Sequence, residues 1–397
     1  MRTRNIFASL SIAAVTTLGA CADPVGSPTA PTTDTPLYSE EGGQLGRNDY
    51  IVVLRETESQ VSATSTSLAA SVGGRVKDQW QDVINGFLAD MTDDGAAALR
   101  LRAEVALVEK NAPMQASATQ LNAPSWGLRR IDDRFLPNDV NYTYNKTGLG
   151  VHAYIIDTGI RPTHVDFAGR VLGGFSVIAG GVIDCNGHGT HVSGTVGGTT
   201  YGVAKQVWIH PVRVLNCAGS GTTAGVISGI NWVRANRVLP AVANISLGGG
   251  FSAALNLAVN NLVTLGNVAT AVAAGNSNLS ACGSSPSSAA SVLTVGATTV
   301  NDTRAAFSNF GACLDIFAPG VNIRSDWNTS NVATAVLSGT SMASPHVAGE
   351  LALVRQWQPA VNAVVAQNIV IANSTPGIVL NPGAGSPNRM LFMGFIP

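Results

Sequence analysis

Charged residues are scarce in this chain of 397 residues, since Asp, Glu, Lys and Arg make up only 12% of it. An average soluble domain has roughly 25%. The formal net charge is −1, so the chain lacks the basic field that holds nucleic acid. After the N-terminus it also lacks an apolar run of the ~20 residues that a membrane-spanning helix needs. These deficits exclude a nucleic-acid-binding protein and a multi-span membrane protein.

Apolar residues and glycine are plentiful instead. Hydrophobic residues make up 45% of the chain and there are 43 glycines, a composition that excludes disorder and indicates a packed core with many tight turns. The length suits one large α/β domain with an appendage.

The N-terminal segment predicts export. Two arginines, Arg2 and Arg4, precede an apolar stretch over residues 6–20, as in a secretory signal peptide over residues 1–21. The stretch ends in the letters LGAC, which resemble a bacterial lipobox whose cysteine, here Cys21, receives a lipid. Ordinary cleavage without a lipid is the alternative. In both cases we expect the mature protein to leave the cytoplasm.

Cysteine usage agrees with an oxidising compartment. Of the five cysteines, loss of Cys21 with the signal or to lipid leaves an even number: Cys185, Cys217, Cys282 and Cys313. Four cysteines outside the cytoplasm predict two disulfides, and the spacing leaves all three pairings open. Metal ligation is the alternative, but no pair has the close spacing of a zinc site.

The rest of the chain falls into three predicted segments. Residues 22–47 form a linker rich in Pro, Ser and Thr. Residues 48–115 show the order βαββαβ, which is typical of a small ferredoxin-like α+β domain. In residues 116–397 short apolar strands alternate with helices, which predicts a mainly parallel sheet with helices on both faces. Ligands of such a sheet bind at the carboxyl ends of the strands.

Three residues at such positions carry candidate chemistry. Asp157 ends a predicted strand, whereas His188 and Ser341 each follow a glycine turn that leads into a helix. A serine hydroxyl becomes a nucleophile when a histidine accepts its proton and a carboxylate orients that histidine. Singly, the three residues could be a turn aspartate, a structural or metal-binding histidine paired with His191, and a helix N-cap. Their conjunction favours catalysis.

The order of the three residues narrows the choice of fold. An α/β-hydrolase has its serine first and its histidine last, but no histidine follows Glu350, the only acid after Ser341. A chymotrypsin-like enzyme requires an all-β chain. The order Asp157, His188, Ser341 on an alternating α/β chain matches the subtilisin order.

The segments around these residues resemble the signatures of subtilisin-like serine proteases, and their flanks resemble the proteinase K and aqualysin subgroup. The resemblance runs from Trp126 to Arg389, and residues 50–111 resemble the inhibitory propeptide of the family. It implies a three-layer subtilisin-like domain behind a ferredoxin-like propeptide. It also implies a secreted, self-processed serine endopeptidase that acts through an acyl-enzyme and prefers apolar or aromatic residues.

The resemblance further assigns residues to the substrate site. Asn276 and the backbone N–H of Ser341 would form the oxyanion hole. Two backbone edges would hold the substrate as an added β-strand; they are Gly219, Ser220, Gly221, Ser246, Leu247 and Gly248. The pocket floor would consist of Ala273, Ala274 and Gly275, whose small side chains leave room for a large apolar residue. No acid is evident there, which argues against a preference for basic residues.

Two disulfides and bound calcium are implied in the same way. The pairs would be Cys185 with Cys217 and Cys282 with Cys313. A structural Ca²⁺ would bind Asp315 and the carbonyls of Ala290 and Val292. A second oxygen-rich site would use Asp132, Asp133, Asp139 and Asn141, although Arg129 replaces an acid there, and a solvated acidic turn is the alternative.

The implied partners are protein or peptide substrates and the chain's own propeptide, which would act as intramolecular chaperone and inhibitor. We expect a monomer, no nucleic acid, and a mature start within residues 114–118. That cut would release the catalytic domain from a lipid on Cys21. Two other functions compete with this prediction. One is an inactive, protease-shaped surface lipoprotein. The other is a metal-dependent hydrolase that uses His188 and His191, but the chain lacks the H-E-x-x-H motif.

Overall fold

The computed structural model describes residues 47–55, 60–81, 84–111 and 118–397. The predicted signal peptide with Cys21, and the linker up to residue 46, therefore lie outside the described residues. The chain divides into two units, Met1–Met114 and Gln115–Pro397. The predicted boundary between residues 115 and 116 falls in the undescribed stretch 112–117 and stays a prediction.

The elements of the first unit are β1 (Arg47–Leu54), α1 (Val61–Ser71), β2 (Arg75–Trp80), β3 (Gly86–Thr92), α2 (Asp93–Leu99) and β4 (Val105–Lys110). Their sheet has the order β2-β3-β1-β4 with antiparallel neighbours. This order confirms the predicted ferredoxin-like domain. On β1 the buried residues Tyr50, Val52 and Leu54 alternate with half-buried ones, because successive side chains of a strand point to opposite faces.

The second unit begins with β5 (Ala118–Gln120), α3 (Trp126–Ile131), β6 (Tyr142–Tyr144), β7 (His152–Asp157), β8 (Phe175–Ser176), α4 (His188–Gly197), β9 (Trp208–Arg213), α5 (Thr223–Asn236), β10 (Ala241–Ile245) and β11 (Gly249–Gly250). It continues with α6 (Ala253–Thr264), β12 (Val268–Ala273), β13 (Ser284–Ser285), β14 (Leu293–Thr298), β15 (Ile316–Pro319), β16 (Ile323–Asp326) and β17 (Thr334–Leu337). It ends with α7 (Thr340–Trp357), α8 (Ala363–Asn373), β18 (Thr375–Pro376) and β19 (Arg389–Met390).

The main sheet has the order β18-β19-β15-β14-β12-β10-β7-β9-β8. All neighbouring strands of this sheet run parallel except the pair β18 and β19, which is antiparallel. The central strands are continuous apolar runs, such as the fully buried β10 and β12, because helices cover both faces of a parallel sheet. This confirms the predicted mainly parallel sheet.

Helices α4 and α5 lie on opposite faces of this sheet. A Cβ added at Gly197 of α4 would meet Ile209 at 3.1 Å, and one added at Gly229 of α5 would meet Val212 at 3.0 Å. Ile209 and Val212 are three residues apart on β9, so their side chains point to opposite faces. The result is the predicted three-layer arrangement.

The parallel strands end at one edge of the sheet, which therefore collects the candidate residues. Asp157 is the last residue of β7, Ser246 directly follows β10, and Asn276 lies three residues after the end of β12. His188 and Ser341 lie in the first turns of α4 and α7. Within the described ranges, none of the helices combines the length and the apolar character needed to cross a membrane.

Candidate active site

Asp157 and His188 form a direct hydrogen bond. Asp157 is fully buried, and its Oδ1 lies 2.7 Å from Nδ1 of His188. A carboxylate can only accept, so Nδ1 carries the proton and Nε2 is left as the free acceptor of the ring. The same Oδ1 accepts the N–H of Thr158 at 2.7 Å. This pair has the geometry that the acid and the base take in a Ser-His-Asp triad.

The surroundings of His188 favour its protonated form. Burial by itself lowers the pKa of His188, but the charge and hydrogen bond of Asp157 and the charge of Asp184 outweigh it, so the pKa is raised above 6.5. The side chain keeps 25% of its surface exposed. A base whose protonated form is stabilised by neighbouring carboxylates is suited to accept a proton from a hydroxyl.

Ser341 is held against the segment that follows β10. Its hydroxyl donates to the carbonyl of Ser246 at 3.1 Å, and the hydroxyl of Ser246 donates back to the carbonyl of Ser341 at 2.9 Å. Helix α7 begins at Thr340 with Gly339 as its N-cap, so Ser341 is not the N-cap that sequence alone allowed. Its side chain is therefore free of capping and available for chemistry.

The amide of Asn276 has a fixed orientation. Its Oδ1 accepts both the backbone N–H and the hydroxyl of Thr340, each at 2.8 Å. The hydroxyl of Thr340 in turn accepts the N–H of Gly275 at 3.0 Å. Because the carbonyl oxygen is engaged, the amide NH₂ is the remaining donor. That nitrogen lies 3.5 Å from where a Cβ on Gly339 would be, beside the turn that carries Ser341.

A cleft of about 480 Å³ brings His188 together with both predicted substrate edges. Besides those edges it is lined by apolar side chains that sequence reasoning missed: Leu215, Val226 and Leu255. Among the described residues that line it, His188 alone is ionisable. Ser341, Asn276 and the predicted floor Ala273–Gly275 are not part of its lining, and Ala274 is fully buried.

The structure contains both disulfides that the resemblance implied. Cys185 pairs with Cys217 and Cys282 pairs with Cys313. The first bond joins the loop before His188 to the segment before Gly219, and Nδ2 of Asn186 donates across the same gap to the carbonyl of Cys217 at 3.0 Å. One wall of the cleft is thus covalently tied to the turn that carries His188.

His191 does not join His188 in a metal pair. It is fully buried and its Nε2 lies 3.0 Å from the carbonyl of Ile323. Burial lowers its pKa to about 4. The described part of the chain contains no group of three His, Cys, Asp or Glu side chains that could hold a metal. His191 is therefore a structural histidine that joins α4 to β16.

The two predicted calcium sites differ in the hydrogen bonds that their carboxylates accept. Oδ2 of Asp315 accepts the N–H of Thr294 at 2.7 Å, two residues beyond Val292, and burial raises the pKa of Asp315 to about 6. A half-buried carboxylate with one backbone donor fits a cation that would offset its charge. In the second set, Asp133 and Asp139 accept backbone N–H groups within their own turn, which matches the alternative of an acidic turn.

Sequence reasoning also missed three residues whose hydrogen bonds join segments of the site, Thr340, Thr158 and Asp184. Thr340 lies directly before Ser341, and its hydroxyl donates to Asn276. Asp184 lies four residues before His188. The pattern that could have identified it is an acid just before a glycine turn that leads into a helix. Their roles depend on hydrogen bonds to segments that are distant in sequence.

Comparison with known families and proteins agrees with this geometry. Residues 148–390 match the subtilase family of peptidases, and residues 49–117 match the peptidase inhibitor I9 family. An extracellular serine proteinase of Thermus sp. (strain Rt41A) is 45% identical over 95% of this chain and 97% of its own. A subtilisin-like serine protease, AsES, of Sarocladium strictum is 41% identical over 93% of this chain and 95% of its own.

A solved structure leads to the same assignment. The crystal structure of a cold adapted subtilisin-like serine proteinase is 48% identical, covers 68% of this chain and 97% of its own, and superposes with a TM-score of 0.65. With the family match over more than half of its length, the chain belongs to the subtilase family and is a subtilisin-like serine protease with an inhibitor I9 propeptide.

Proposed function

We propose that the protein is a secreted serine endopeptidase in which Asp157, His188 and Ser341 are the catalytic residues. The observation that carries this proposal is the 2.7 Å bond from His188 Nδ1 to Asp157, which leaves Nε2 as the base. In the first step the hydroxyl of Ser341 turns from the carbonyl of Ser246 to Nε2. It then loses its proton to His188 as its oxygen attacks the peptide carbonyl.

The oxyanion of the tetrahedral intermediate is stabilised by the NH₂ of Asn276 and the backbone N–H of Ser341. Thr340 supports this role because it occupies the carbonyl oxygen of Asn276 with two hydrogen bonds, so only the donor end of the amide faces the reaction. Collapse of the intermediate passes the proton from His188 to the leaving amine and leaves an acyl-enzyme on Ser341. Water then releases the acid product by the same steps.

Substrates are polypeptides bound in an extended conformation. The backbone edges Gly219–Gly221 and Ser246–Gly248 face one cleft, where an added strand would bind through main-chain hydrogen bonds. Leu215, Val226 and Leu255 make part of the cleft apolar, and none of its described lining residues is an acid. Both features support a preference for apolar or aromatic side chains and broad specificity otherwise.

The enzyme is made as a zymogen that cleaves its own propeptide. The inhibitor I9 match over residues 49–117 supports a propeptide that inhibits the catalytic domain, and the mature start is proposed within residues 114–118. The name of the Thermus relative, an extracellular serine proteinase, supports export. A lipid on Cys21, if added, would be separated from the catalyst by this cut, so cell fractionation should find mature enzyme outside the membrane fraction.

A structural Ca²⁺ at Asp315 belongs to the same proposal. The carboxylate would bind it together with the carbonyls of Ala290 and Val292. Asp315 directly precedes β15 and lies outside the cleft lining, so the ion would stabilise the fold and take no part in the reaction.

Ser341→Ala tests the nucleophile. The wild-type protein should react with a fluorophosphonate probe at Ser341 and lose its propeptide, while the variant should neither react nor mature. Ser338→Ala, three residues before Ser341, is the matched control, since the hydroxyl of Ser338 accepts the N–H of Asn322; this variant should react normally. Labelling of Ser341→Ala would refute the nucleophile, and its normal maturation in a host without related proteases would refute self-processing. An unreactive wild-type protein would favour the inactive lipoprotein instead.

A further inference from the structure

We propose that Asp184 is a positioning residue for catalysis, which holds the turn that presents His188 and joins this turn to the strand end that carries Asp157. The inference rests on the proposed triad. It adds to the triad a second carboxylate whose contacts reach both members of the acid–base pair.

Asp184 is buried, with 6% of its surface exposed, and its two oxygens accept five hydrogen bonds. Oδ1 accepts the hydroxyl of Thr158 and the N–H groups of Asn186 and Gly187, all at 2.9 Å. Oδ2 accepts the N–H of Thr190 at 2.9 Å and its hydroxyl at 2.6 Å. The carboxylate therefore binds residues on both sides of His188.

Thr158 extends this set of contacts to the strand. It follows Asp157 directly at the end of β7, and besides donating to Asp184 its hydroxyl accepts the N–H of Gly189 at 2.8 Å. The segment after Asp157 and the segments before and after His188 are thus fastened to one another through Thr158 and Asp184. Relative motion of the two catalytic side chains would have to break several of these bonds at once.

Only a carboxylate satisfies all five donors. Each of its oxygens accepts and neither donates, whereas the NH₂ of an asparagine would oppose either the donors at Oδ1 or those at Oδ2. Two of the donors are the backbone N–H groups of Gly187, the N-cap of α4, and of Thr190 in its first turn, which have no partner within the helix. The third backbone donor, Asn186, lies just before the N-cap. A negative charge is also favoured at this helix end.

The charge of Asp184 also acts on His188, since it contributes with Asp157 to the raised pKa of that ring. The titratable groups around the imidazole are Asp157 from β7, Asp184 from the preceding loop and His191 from α4. Arg213 at the end of β9 is engaged with the carbonyl of Gly181 and the sulfur of Cys185. Two carboxylates therefore support the imidazolium that forms when Ser341 gives up its proton.

The test is the pH dependence of kcat/KM in Asp184→Asn, measured on mature enzyme with a peptide substrate. The acid limb of this profile reports the pKa of the free enzyme's base. We expect it to move to lower pH by up to about one unit, since one unit corresponds to a tenfold change in the protonation equilibrium. We also expect kcat to fall roughly tenfold while KM changes less than about threefold, because the substrate edges are untouched.

Asp302→Asn is the matched control. Asp302 is another buried acid, paired with Arg130 at 2.7 Å, and it lies outside the cleft lining. Its loss should lower the melting temperature and leave the acid limb in place, as a purely structural change would. If Asp184→Asn fails to fold, Thr158→Val removes one of the five donors in a near-isosteric way and should shift the limb in the same direction by less.

Two outcomes would overturn the inference. One is a folded Asp184→Asn enzyme whose acid limb and kcat equal those of the wild type. The other is a fall in activity with an unmoved acid limb in both Asp184→Asn and Thr158→Val, which would make the role structural only. Titration of wild-type Ser341 with the fluorophosphonate separates these outcomes from failure of the proposed function, since an unreactive wild type would remove the triad itself.

Discussion

At the N-terminal end of helix α4 the carboxylate of Asp184 accepts five hydrogen bonds, whereas near its C-terminal end the carboxyl group of Asp326 accepts none from the described residues. Asp326 is fully buried. A Cβ added at Gly194 of the helix would lie 2.6 Å from its Oδ2. Burial, then the neighbouring Asp166, raises the pKa of Asp326 to about 9, so this group is a neutral acid at pH 7.

The helix itself explains the difference. The N–H groups of its first turn have no partner within the helix and point towards an acceptor, whereas those further along are bonded to carbonyls. A buried carboxylate at the first turn therefore finds several donors, and the charge of Asp184 contributes to the raised pKa of His188. A buried carboxyl group beside Gly194 finds no such donors, and burial together with the neighbouring Asp166 raises its pKa. An aspartate thus supports the positive charge of His188 at the N-terminal end of α4, whereas near the C-terminal end an aspartate is a buried neutral acid.

The largest effect is expected at Asp157, the carboxylate that binds His188 at the N-terminal end of α4. Asp157→Asn should lower kcat about 10⁴-fold, because an amide that donates to Nδ1 selects the wrong tautomer of His188. Steady-state kinetics on a peptide substrate measure this. Asp326→Asn is the control and should keep kcat within a few-fold of the wild type; a loss as large as that of Asp157→Asn would contradict the division between the two ends.

A third acid, Asp315, sharpens the comparison, because it accepts one backbone N–H and is the proposed ligand of a Ca²⁺. Removal of the ion with a chelator should lower the unfolding free energy by about 2.7 kcal/mol when the working concentration is a hundredfold above Kd. Activity at low temperature should change less. Thermal melts with and without chelator measure the effect. Asp315→Ala should melt at the same temperature in both, and an unchanged wild-type melt would remove the site.

Stability at alkaline pH tests whether Asp326, near the C-terminal end of α4, is a neutral acid. A group with a raised pKa in the folded state contributes stability that is complete below its unfolded pKa, near 4, and is lost as the pH rises through about 9. We therefore expect Asp326→Asn, which has no proton to lose, to flatten the decline of stability over this range. Relative to the wild type, it should therefore be more stable at pH 9 than it is at pH 5.

Denaturant unfolding at pH 5, 7 and 9 measures this effect. The control is Asp139→Asn, an exposed acid on a surface turn, which should leave the profile parallel to that of the wild type. A parallel profile for Asp326→Asn as well would show that Asp326 already ionises freely, and the contrast with Asp184 would then fail.

Much of the candidate site could be predicted because its chemistry is encoded in neighbouring residues. Asp157 at a strand end, and His188 and Ser341 after glycine turns, are local patterns, and their order along the chain selects one arrangement on a parallel sheet. The alternation of apolar strands and helices likewise predicted the fold, since the period of side chains depends on local geometry.

The sequence by itself determined the sheet type and the number of cysteines available for disulfides, and it predicted the candidate nucleophile, base and acid. Only the tertiary structure decided the rest: that Ser341 is not an N-cap, that His191 is structural, and which side chains wall the cleft. It also decided that Asp184 accepts five hydrogen bonds while Asp326 is buried without any from the described residues. The physical reason is that burial and hydrogen-bond partners come from segments far apart in the chain, such as Thr158 for Asp184 and Gly194 for Asp326, and no local pattern encodes them.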